Sequence, residues 1–143
     1  MDATPRVDCR SLIKRLPSGG RELTVLAGID LSIAPAEFVA VLGPSGSGKS
    51  TLLGLMAGLD HPTEGSVRID GEALEDMDED ALALLRRGKI GFVFQSFQLL
   101  ANLTARENVV LPLDLAGVKD ARTRADELLA QVGLTDRSHH YPS

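Results

Sequence analysis

The fold is decided by one stretch of nine residues, Gly43-Pro44-Ser45-Gly46-Ser47-Gly48-Lys49-Ser50-Thr51. It fits the phosphate-loop pattern G-x-x-x-x-G-K-[ST], whose glycines let successive backbone N–H groups point inward and surround an anion. Residues 37–42 ahead of it, which are apolar after Glu37, predict a buried strand, and residues 51–59 behind it predict a buried helix. That helix directs its positive N-terminal end at the same anion. We therefore predict that this loop binds the phosphates of a nucleotide.

Two side chains of the loop have specific roles in this pattern. Lys49 can reach the β- and γ-phosphates of a nucleotide, and the hydroxyl of Ser50 can ligate Mg²⁺. The alternative is a glycine-rich turn that matches the pattern by chance. The strand predicted before the loop and the helix predicted after it count against that alternative.

Length and composition are those of a single α/β domain. The chain has 143 residues, of which 43% are hydrophobic and 24% charged, enough to bury a core. Cys9 is the only cysteine, so the sequence has no disulfide framework and a reducing compartment is expected. No apolar stretch is long enough to cross a bilayer. We therefore expect a cytosolic protein, or one held at a membrane only through a partner.

The charge balance is acidic overall, with a basic beginning. The formal net charge of −5 argues against a nucleic-acid partner, because a phosphate backbone requires a basic face. The first 21 residues nevertheless carry five bases, Arg6, Arg10, Lys14, Arg15 and Arg21. We interpret this region as a solvated segment, with a small partner-facing patch as the alternative.

Local patterns predict further elements along the chain. Residues 25–33 predict a half-exposed strand between turns at residues 17–20 and 34–36. Residues 65–71 predict a short strand that ends in an Asp-Gly hairpin turn. Residues 78–88 predict a helix, and residues 90–94 predict a buried strand that stops at Gln95. Thr104-Ala105-Arg106-Glu107 predicts a capping box. The last predicted helix runs from Asp120 to Val132, with Ala121, Ala125, Leu128 and Val132 on one face. This order predicts antiparallel strands first, then a parallel phosphate-loop core, then a helical stretch.

Taken in order, these motifs resemble the ATP-binding subunit of an ABC transporter. The resemblance rests on the phosphate loop, on Ala57-Gly58-Leu59-Asp60, Pro62-Thr63-Glu64-Gly65 and Asp70-Gly71, on Gly91-Phe92-Val93-Phe94-Gln95, and on Thr104-Ala105-Arg106-Glu107-Asn108-Val109. Residues 95–100 and 107–113 are most similar to the branch that serves lipoprotein release and macrolide or peptide export. The resemblance implies an α/β P-loop NTPase of the ABC type. Its single domain, residues 1–143, would comprise a β subdomain with the phosphate-loop core over about residues 1–95 and the start of a helical subdomain over residues 96–143.

The resemblance also implies the ligands, ATP and Mg²⁺, and the residues that hold them. The backbone from Gly46 to Thr51 would surround the β-phosphate, while Lys49 would bridge to the γ-phosphate. Ser50 would hold Mg²⁺, and the Thr51 hydroxyl would lie near the α-phosphate. The side-chain oxygen of Gln95 would complete the Mg²⁺ shell and sense the γ-phosphate, since a neutral carbonyl binds a hard cation and can release it.

The partners implied by the resemblance are proteins of a membrane export system. A membrane-spanning permease would dock a coupling helix on the surface from Gln95 to Asn108, and a second ATP-binding subunit would face the first. The subunit would stay at the cytoplasmic face of the membrane without inserting into it, and would couple ATP binding and hydrolysis to export when complete.

Leu16 departs from the family pattern. It stands in the region Lys14-Arg15-Leu16-Pro17, where the family usually has an aromatic residue that stacks on adenine. Adenine would then pack on an aliphatic surface. We therefore expect weaker binding of the base and looser discrimination between ATP and GTP.

A second departure concerns hydrolysis. The 143 residues contain no L-S-G-G-Q signature, no apolar strand ending in an Asp-Glu pair and no later switch histidine. Phosphoryl transfer depends on such groups for positioning and charge stabilisation. We therefore expect no catalytic residue in these residues and no hydrolysis by them, and we interpret the chain as the N-terminal part of a longer subunit. Alternatives are an ATP-binding module that does not hydrolyse, and an ABC-type protein of DNA repair or translation, which the acidic balance and residues 95–108 disfavour.

Overall fold

The computed structural model describes residues 4–143, which form two compact units. One unit ends at Arg86 and the other is Arg87–Ser143. The strands are β1 (Val7–Ser18), β2 (Arg21–Ile33), β3 (Glu64–Ile69) and β4 (Glu72–Ala73), and the helices are α1 (Lys49–Met56), α2 (Glu79–Lys89), α3 (Ala105–Leu115) and α4 (Ala121–Gln131). Short 3-10 turns lie at Leu74–Asp76 and Thr135–Arg137. None of the helices in residues 4–143 has both the length and the apolar character to span a bilayer.

The first unit is built on a four-stranded antiparallel sheet with the order β2-β1-β3-β4. The β1–β2 hairpin turns at Gly19 and Gly20, whose φ angles are 55° and 80°. Positive φ at both central residues suits the twist of a two-residue hairpin. The strand predicted over residues 25–33 and the turn before it are confirmed. Strand β1 was not predicted from the sequence, because the basic N-terminal residues were interpreted as a solvated segment.

The β3–β4 hairpin turns at Asp70 and Gly71, both with positive φ, as the Asp-Gly signal predicted. Near the start of β3, the backbone crosses an irregularity in β1. Ser11 has φ 45° there, and a Cβ on Gly65 would collide with the carbonyl oxygens of Arg10 and Ser11. Only glycine therefore allows the two strands to approach this closely.

The core of the first unit is formed by buried apolar side chains of the sheet and of α1 and α2. Its buried side chains include Cys9, Leu12, Leu26, Val67 and Ile69 from the strands and Leu52, Leu55, Leu82 and Leu85 from the helices. Burial, with a smaller contribution from Asp8, raises the pKa of the Cys9 thiol to about 11. The helix predicted over residues 78–88 is confirmed as α2, and the helix behind the phosphate loop is confirmed as α1.

The second unit packs α3 against α4. Arg106 of α3 forms two hydrogen bonds with the carboxylate of Asp126 on α4, at 2.6 and 2.7 Å. The predicted last helix is confirmed, but its buried face is Ala121, Ala125 and Leu129 rather than one that includes Leu128 and Val132. Val132 is exposed because it lies beyond Gln131, the last residue of α4, and therefore no longer continues the buried face of the helix.

The strands predicted at residues 37–42 and 90–94 are wrong for this structure. Both segments lack regular secondary structure, and no segment of residues 4–143 pairs with them. Phe38 and Leu42 are 93% and 89% exposed, and Val93 is 97% exposed. An apolar run is typical of a strand in a parallel sheet, but the strand itself forms only through hydrogen bonds to neighbours. The parallel core predicted around the phosphate loop is therefore absent among the described residues, whose sheet is antiparallel throughout.

The two compact units of the structure divide after Arg86, whereas the sequence predicts that the helical subdomain starts near Gln95. The transition at Gln95 concerns the start of a helical subdomain and stays a prediction.

A pair of glycine substitutions tests the close approach of β1 and β3. Gly65→Ala should lower the free energy of unfolding by about 2–5 kcal/mol, because it adds left-handed backbone strain to a collision with two carbonyls. Gly54→Ala is the matched control: it lies in α1 with open space around it, and should raise the free energy of unfolding by about 0.5–1 kcal/mol. Urea unfolding midpoints measure both. Equal effects of the two substitutions would contradict this account.

Candidate phosphate-binding site

The predicted phosphate loop forms a left-handed turn into α1. Gly46 has φ 79° and Gly48, the residue before the helix, has φ 88°. Residues other than glycine rarely adopt this conformation, which explains two of the glycines in the motif. Serines elsewhere often cap helices with their side chains, but α1 has no side-chain cap.

Strand β2 positions the loop. A Cβ on Gly48 would lie 2.9 Å from the carbonyl oxygen of Val25 and 3.0 Å from Cδ2 of Leu26, which is itself a core residue. The backbone of the loop therefore rests directly on β2. A larger residue at position 48 would lift the start of α1 away from the sheet.

Several backbone amides of the loop are available to a ligand. Within residues 4–143, the N–H groups of Gly46, Gly48, Lys49 and Ser50 donate to no protein acceptor, whereas Ser47 N–H donates to the Pro44 carbonyl at 3.3 Å. Free amides at a helix N-terminus, together with the helix dipole, favour an anion at this point. The residues present therefore fit a phosphate group.

The side chain of Lys49 lies across the loop. Its Nζ donates to the carbonyl oxygens of Gly43 and Pro44 at 2.9 and 2.6 Å, and lies 3.4 Å from Oγ of Ser47. The ammonium group is thus held beside the loop by exposed hydrogen bonds. These bonds are easily exchanged for bonds to a phosphate, because they are made at the surface.

The other predicted groups of the first unit lie near the protein surface. Ser50 is exposed and Thr51 half-buried in the first turn of α1, with the hydroxyl of Ser50 able to reach solvent and ions. Leu16 is exposed near the end of β1 and pairs across the hairpin with Leu23, which is also exposed. The pair forms a small aliphatic surface where an aromatic residue was expected from the family pattern.

Gln95 belongs to the second unit, Arg87–Ser143. It is exposed in a bend that follows the irregular residues 90–94. Its predicted roles toward Mg²⁺ and the γ-phosphate stay predictions, since they concern groups of both units.

The first turn of α3 confirms the predicted capping box. Thr104 Oγ1 accepts from Glu107 N–H at 3.3 Å, and Glu107 Oε2 accepts from Thr104 N–H at 2.7 Å. Hydrogen bonds from the backbone and then the hydroxyl of Thr104 lower the pKa of Glu107 below its usual range, and nearby Arg122 adds to this. Two further amides, of Ala105 and Arg106, donate to backbone carbonyls of His140 and Ser138. All the amides at the start of this helix are therefore occupied.

A cavity of about 320 Å³ beside this turn is a poorer anion site than the phosphate loop. It is lined by basic groups, but also by the carboxylate of Glu107. Its guanidinium group on Arg106 is already paired with Asp126. The helix amides here already have acceptors as well. The cavity therefore has fewer free hydrogen-bond donors for an anion than the start of α1 has.

The side chain of Asn108 has a role in this unit that was not predicted from the sequence. Asn108 Oδ1 accepts from the Leu100 N–H at 2.8 Å, and Nδ2 lies within hydrogen-bonding distance of three backbone carbonyls. An asparagine one position after a capping box is the available sequence signal, but its partners are set by the path of the preceding loop.

Comparison with known proteins agrees with the geometry of the loop. Residues 26–143 match the ABC transporter family. The chain is 48% identical over 142 residues to the macrolide export ATP-binding/permease protein MacB of Azoarcus sp. (strain BH72), and 44% identical over 142 residues to the lipoprotein-releasing system ATP-binding protein LolD of Hahella chejuensis (strain KCTC 2396). It is also similar to the solved dimeric structure of the ATP-binding cassette MJ0796 in a post-hydrolysis state bound to ADP and Pi, with a TM-score of 0.88 and 42% identity.

The coverage of these similarities is unequal. Each of the two protein relatives aligns with 98% of this chain, but the chain spans 22% of that MacB protein and 62% of that LolD protein. The structural likeness covers 95% of this chain and 61% of the MJ0796 chain. The predicted fold class, an ABC-type ATP-binding fold, is confirmed by this likeness.

The lowered pKa of Glu107 predicts a pH dependence. Its carboxylate stabilises the start of α3 at pH values above the ordinary pKa of a glutamate, and this contribution is lost as the pH falls through the lower pKa of the folded state. Glu107→Gln keeps a capping-box acceptor but does not titrate. The difference in free energy of unfolding between the wild type and Glu107→Gln should therefore shrink between pH 6 and pH 3. A difference that does not vary with pH would contradict the lowered pKa.

Proposed function

Because this chain belongs to the ABC transporter family, we propose that it is an ATP-binding module of an ABC export system. The observation that carries the proposal is the phosphate loop, where the amides of Gly46, Gly48, Lys49 and Ser50 have no protein acceptor among residues 4–143. The Lys49 ammonium lies beside them. Amides and ammonium together favour the charged phosphates of ATP.

The proposed ligand is Mg-ATP. The loop amides would receive the β-phosphate, and Lys49 would exchange its bonds with the Gly43 and Pro44 carbonyls for the γ-phosphate. Ser50 and Gln95 are the proposed Mg²⁺ ligands, since hydroxyl and amide oxygens suit this hard cation.

Export is proposed from the relatives, whose names describe macrolide export and lipoprotein release. The proposed partners are a membrane-spanning permease, received by the surface from Gln95 to Asn108, and a second ATP-binding module. Apolar side chains such as Phe97 and Leu99 are exposed on that surface, which supports a protein partner. The module would then work at the cytoplasmic face of a membrane.

The aliphatic pair Leu16 and Leu23 is the proposed contact for the adenine ring. Aliphatic groups bury a base without the stacking that an aromatic ring offers. Discrimination between ATP and GTP should accordingly be weak.

Removal of the loop ammonium tests nucleotide binding. Lys49→Ala should weaken Mg-ATP binding about 10- to 100-fold, because a hydrogen bond to a charged group contributes about 1.5–3 kcal/mol. Its stability should stay close to that of the wild type, since Lys49 makes only exposed bonds. Lys119→Ala, which removes an exposed lysine of the other unit, is the matched control and should bind Mg-ATP like the wild type. Isothermal titration calorimetry measures the Mg-ATP affinity of the wild type and of both variants.

Two results of this experiment would be decisive against the proposal. Wild-type chain that does not bind Mg-ATP, or Lys49→Ala that binds it as the wild type does, contradicts a phosphate site at this loop. Turnover measured in the same samples addresses the non-hydrolysing alternative: ATP hydrolysis that disappears in Lys49→Ala would show that these residues suffice for the reaction.

An aromatic residue at position 16 tests the base contact. Leu16→Tyr should bind ATP about fivefold more tightly, because a stacked ring adds about 1 kcal/mol to the contact with adenine. Leu84→Tyr adds the same ring at another exposed leucine of the first unit and should leave the affinity unchanged. Competition of GTP against labelled ATP reports the selectivity. If both tyrosines act alike, the base does not lie on Leu16.

A further inference from the structure

The side chain of Asn108 uses its whole amide to hold one loop. Its Oδ1 accepts from Leu100 N–H at 2.8 Å. Its Nδ2 lies 3.2 Å from the carbonyl oxygen of Leu100 and 3.0 Å from those of Leu103 and Thr104. Asn108 therefore bonds both backbone polar groups of Leu100 and also the carbonyls of Leu103 and Thr104, where the loop leads into α3.

Little else fixes this loop. Residues 96–100 have no regular secondary structure, and Phe97, Leu99 and Leu100 are exposed. Apolar burial therefore contributes little to its conformation. Within residues 4–143, the one further backbone hydrogen bond of this loop is the turn from Leu103 N–H to the Leu100 carbonyl at 3.1 Å. The conformation of such a segment depends on its hydrogen bonds.

The start of α3 does not need Asn108. The capping box and the Ser138 and His140 carbonyls already occupy the first amides of the helix. The Asn108 side chain consequently serves the loop and the carbonyl of the N-cap residue Thr104, and not the first amides of the helix. Asparagine suits this position because its amide offers an acceptor and two donors, whereas aspartate offers acceptors alone.

We propose that Asn108 is a positioning residue that fixes the shape of the surface formed by residues 96–104. This deepens the proposed function and rests on it, since the same surface is the one proposed to receive the permease. The amide orders exposed apolar side chains before a partner arrives, which lowers the entropy cost of binding.

Residue-by-residue amide hydrogen exchange on the full chain, without nucleotide, tests the proposal. In Asn108→Ala the amides of Leu100 and Leu103 should exchange about tenfold faster or more, because the acceptor of Leu100 N–H is lost and the turn that holds Leu103 N–H is loosened. The amides of Ala105 and Arg106 should keep wild-type protection, because their acceptors lie on residues 140 and 138. This contrast separates a loosened loop from a damaged helix.

Two further variants sharpen the result. Asn108→Asp keeps an acceptor but loses both donors and sets a carboxylate oxygen against three carbonyl oxygens, so it should not restore the protection of Leu103. Asn102→Ala removes an exposed asparagine of the same loop that forms no side-chain hydrogen bond within residues 4–143, and should exchange like the wild type.

The outcomes are distinguishable from those of the proposed function. Wild-type exchange of Leu100 and Leu103 in Asn108→Ala overturns the positioning role, and so does an equal rise at Ala105 and Arg106. Mg-ATP affinity of the unmodified chain is a separate readout. A chain that fails to bind Mg-ATP overturns the proposed function, while the exchange pattern still decides the role of Asn108.

Discussion

The contact between the backbone of Gly48 and β2 is the constraint on which the candidate site depends. At this point the loop lies so close to Val25 that a Cβ on Gly48 would come within 2.9 Å of its carbonyl oxygen. The left-handed conformation of Gly48 then turns the chain into α1. The start of the helix is therefore in contact with a strand of the antiparallel sheet. The free amides of the loop are therefore held in place even though residues 37–42 are unpaired.

Elements with local causes could be predicted from the sequence. The turns at Gly19-Gly20 and Asp70-Gly71 follow from residues that accept positive φ, and the start of α3 follows from a capping box four residues long. The phosphate loop belongs to this class, since its pattern specifies glycines, lysine and serine at fixed spacing. In each case the groups that decide the structure lie within a few residues of one another.

Elements with distant causes could not be predicted in the same way. Residues 37–42 and 90–94 have the composition of core strands, but composition cannot supply the neighbours to which a strand must bond. The converse error concerns β1, whose basic residues are explained by partners far along the chain: Lys14 pairs with Asp60 and Arg15 with Glu64. Gly65 and Asn108 also belong here, because each is explained by a segment that the local pattern does not identify.

Two helix starts in this chain show how similar local geometry leads to different chemistry. At α3, Thr104, Glu107 and the carbonyls of residues 138 and 140 occupy the amides, so the helix start is internally satisfied and serves to hold other segments. At α1 no side chain caps the helix, and within residues 4–143 the amides of Gly48, Lys49 and Ser50 have no acceptor. An uncapped helix start costs stability unless solvent or a ligand supplies the acceptors. The two helices thus differ in their remaining hydrogen-bonding capacity, and that capacity, more than the positive charge nearby, distinguishes a site that can bind phosphate from one that cannot.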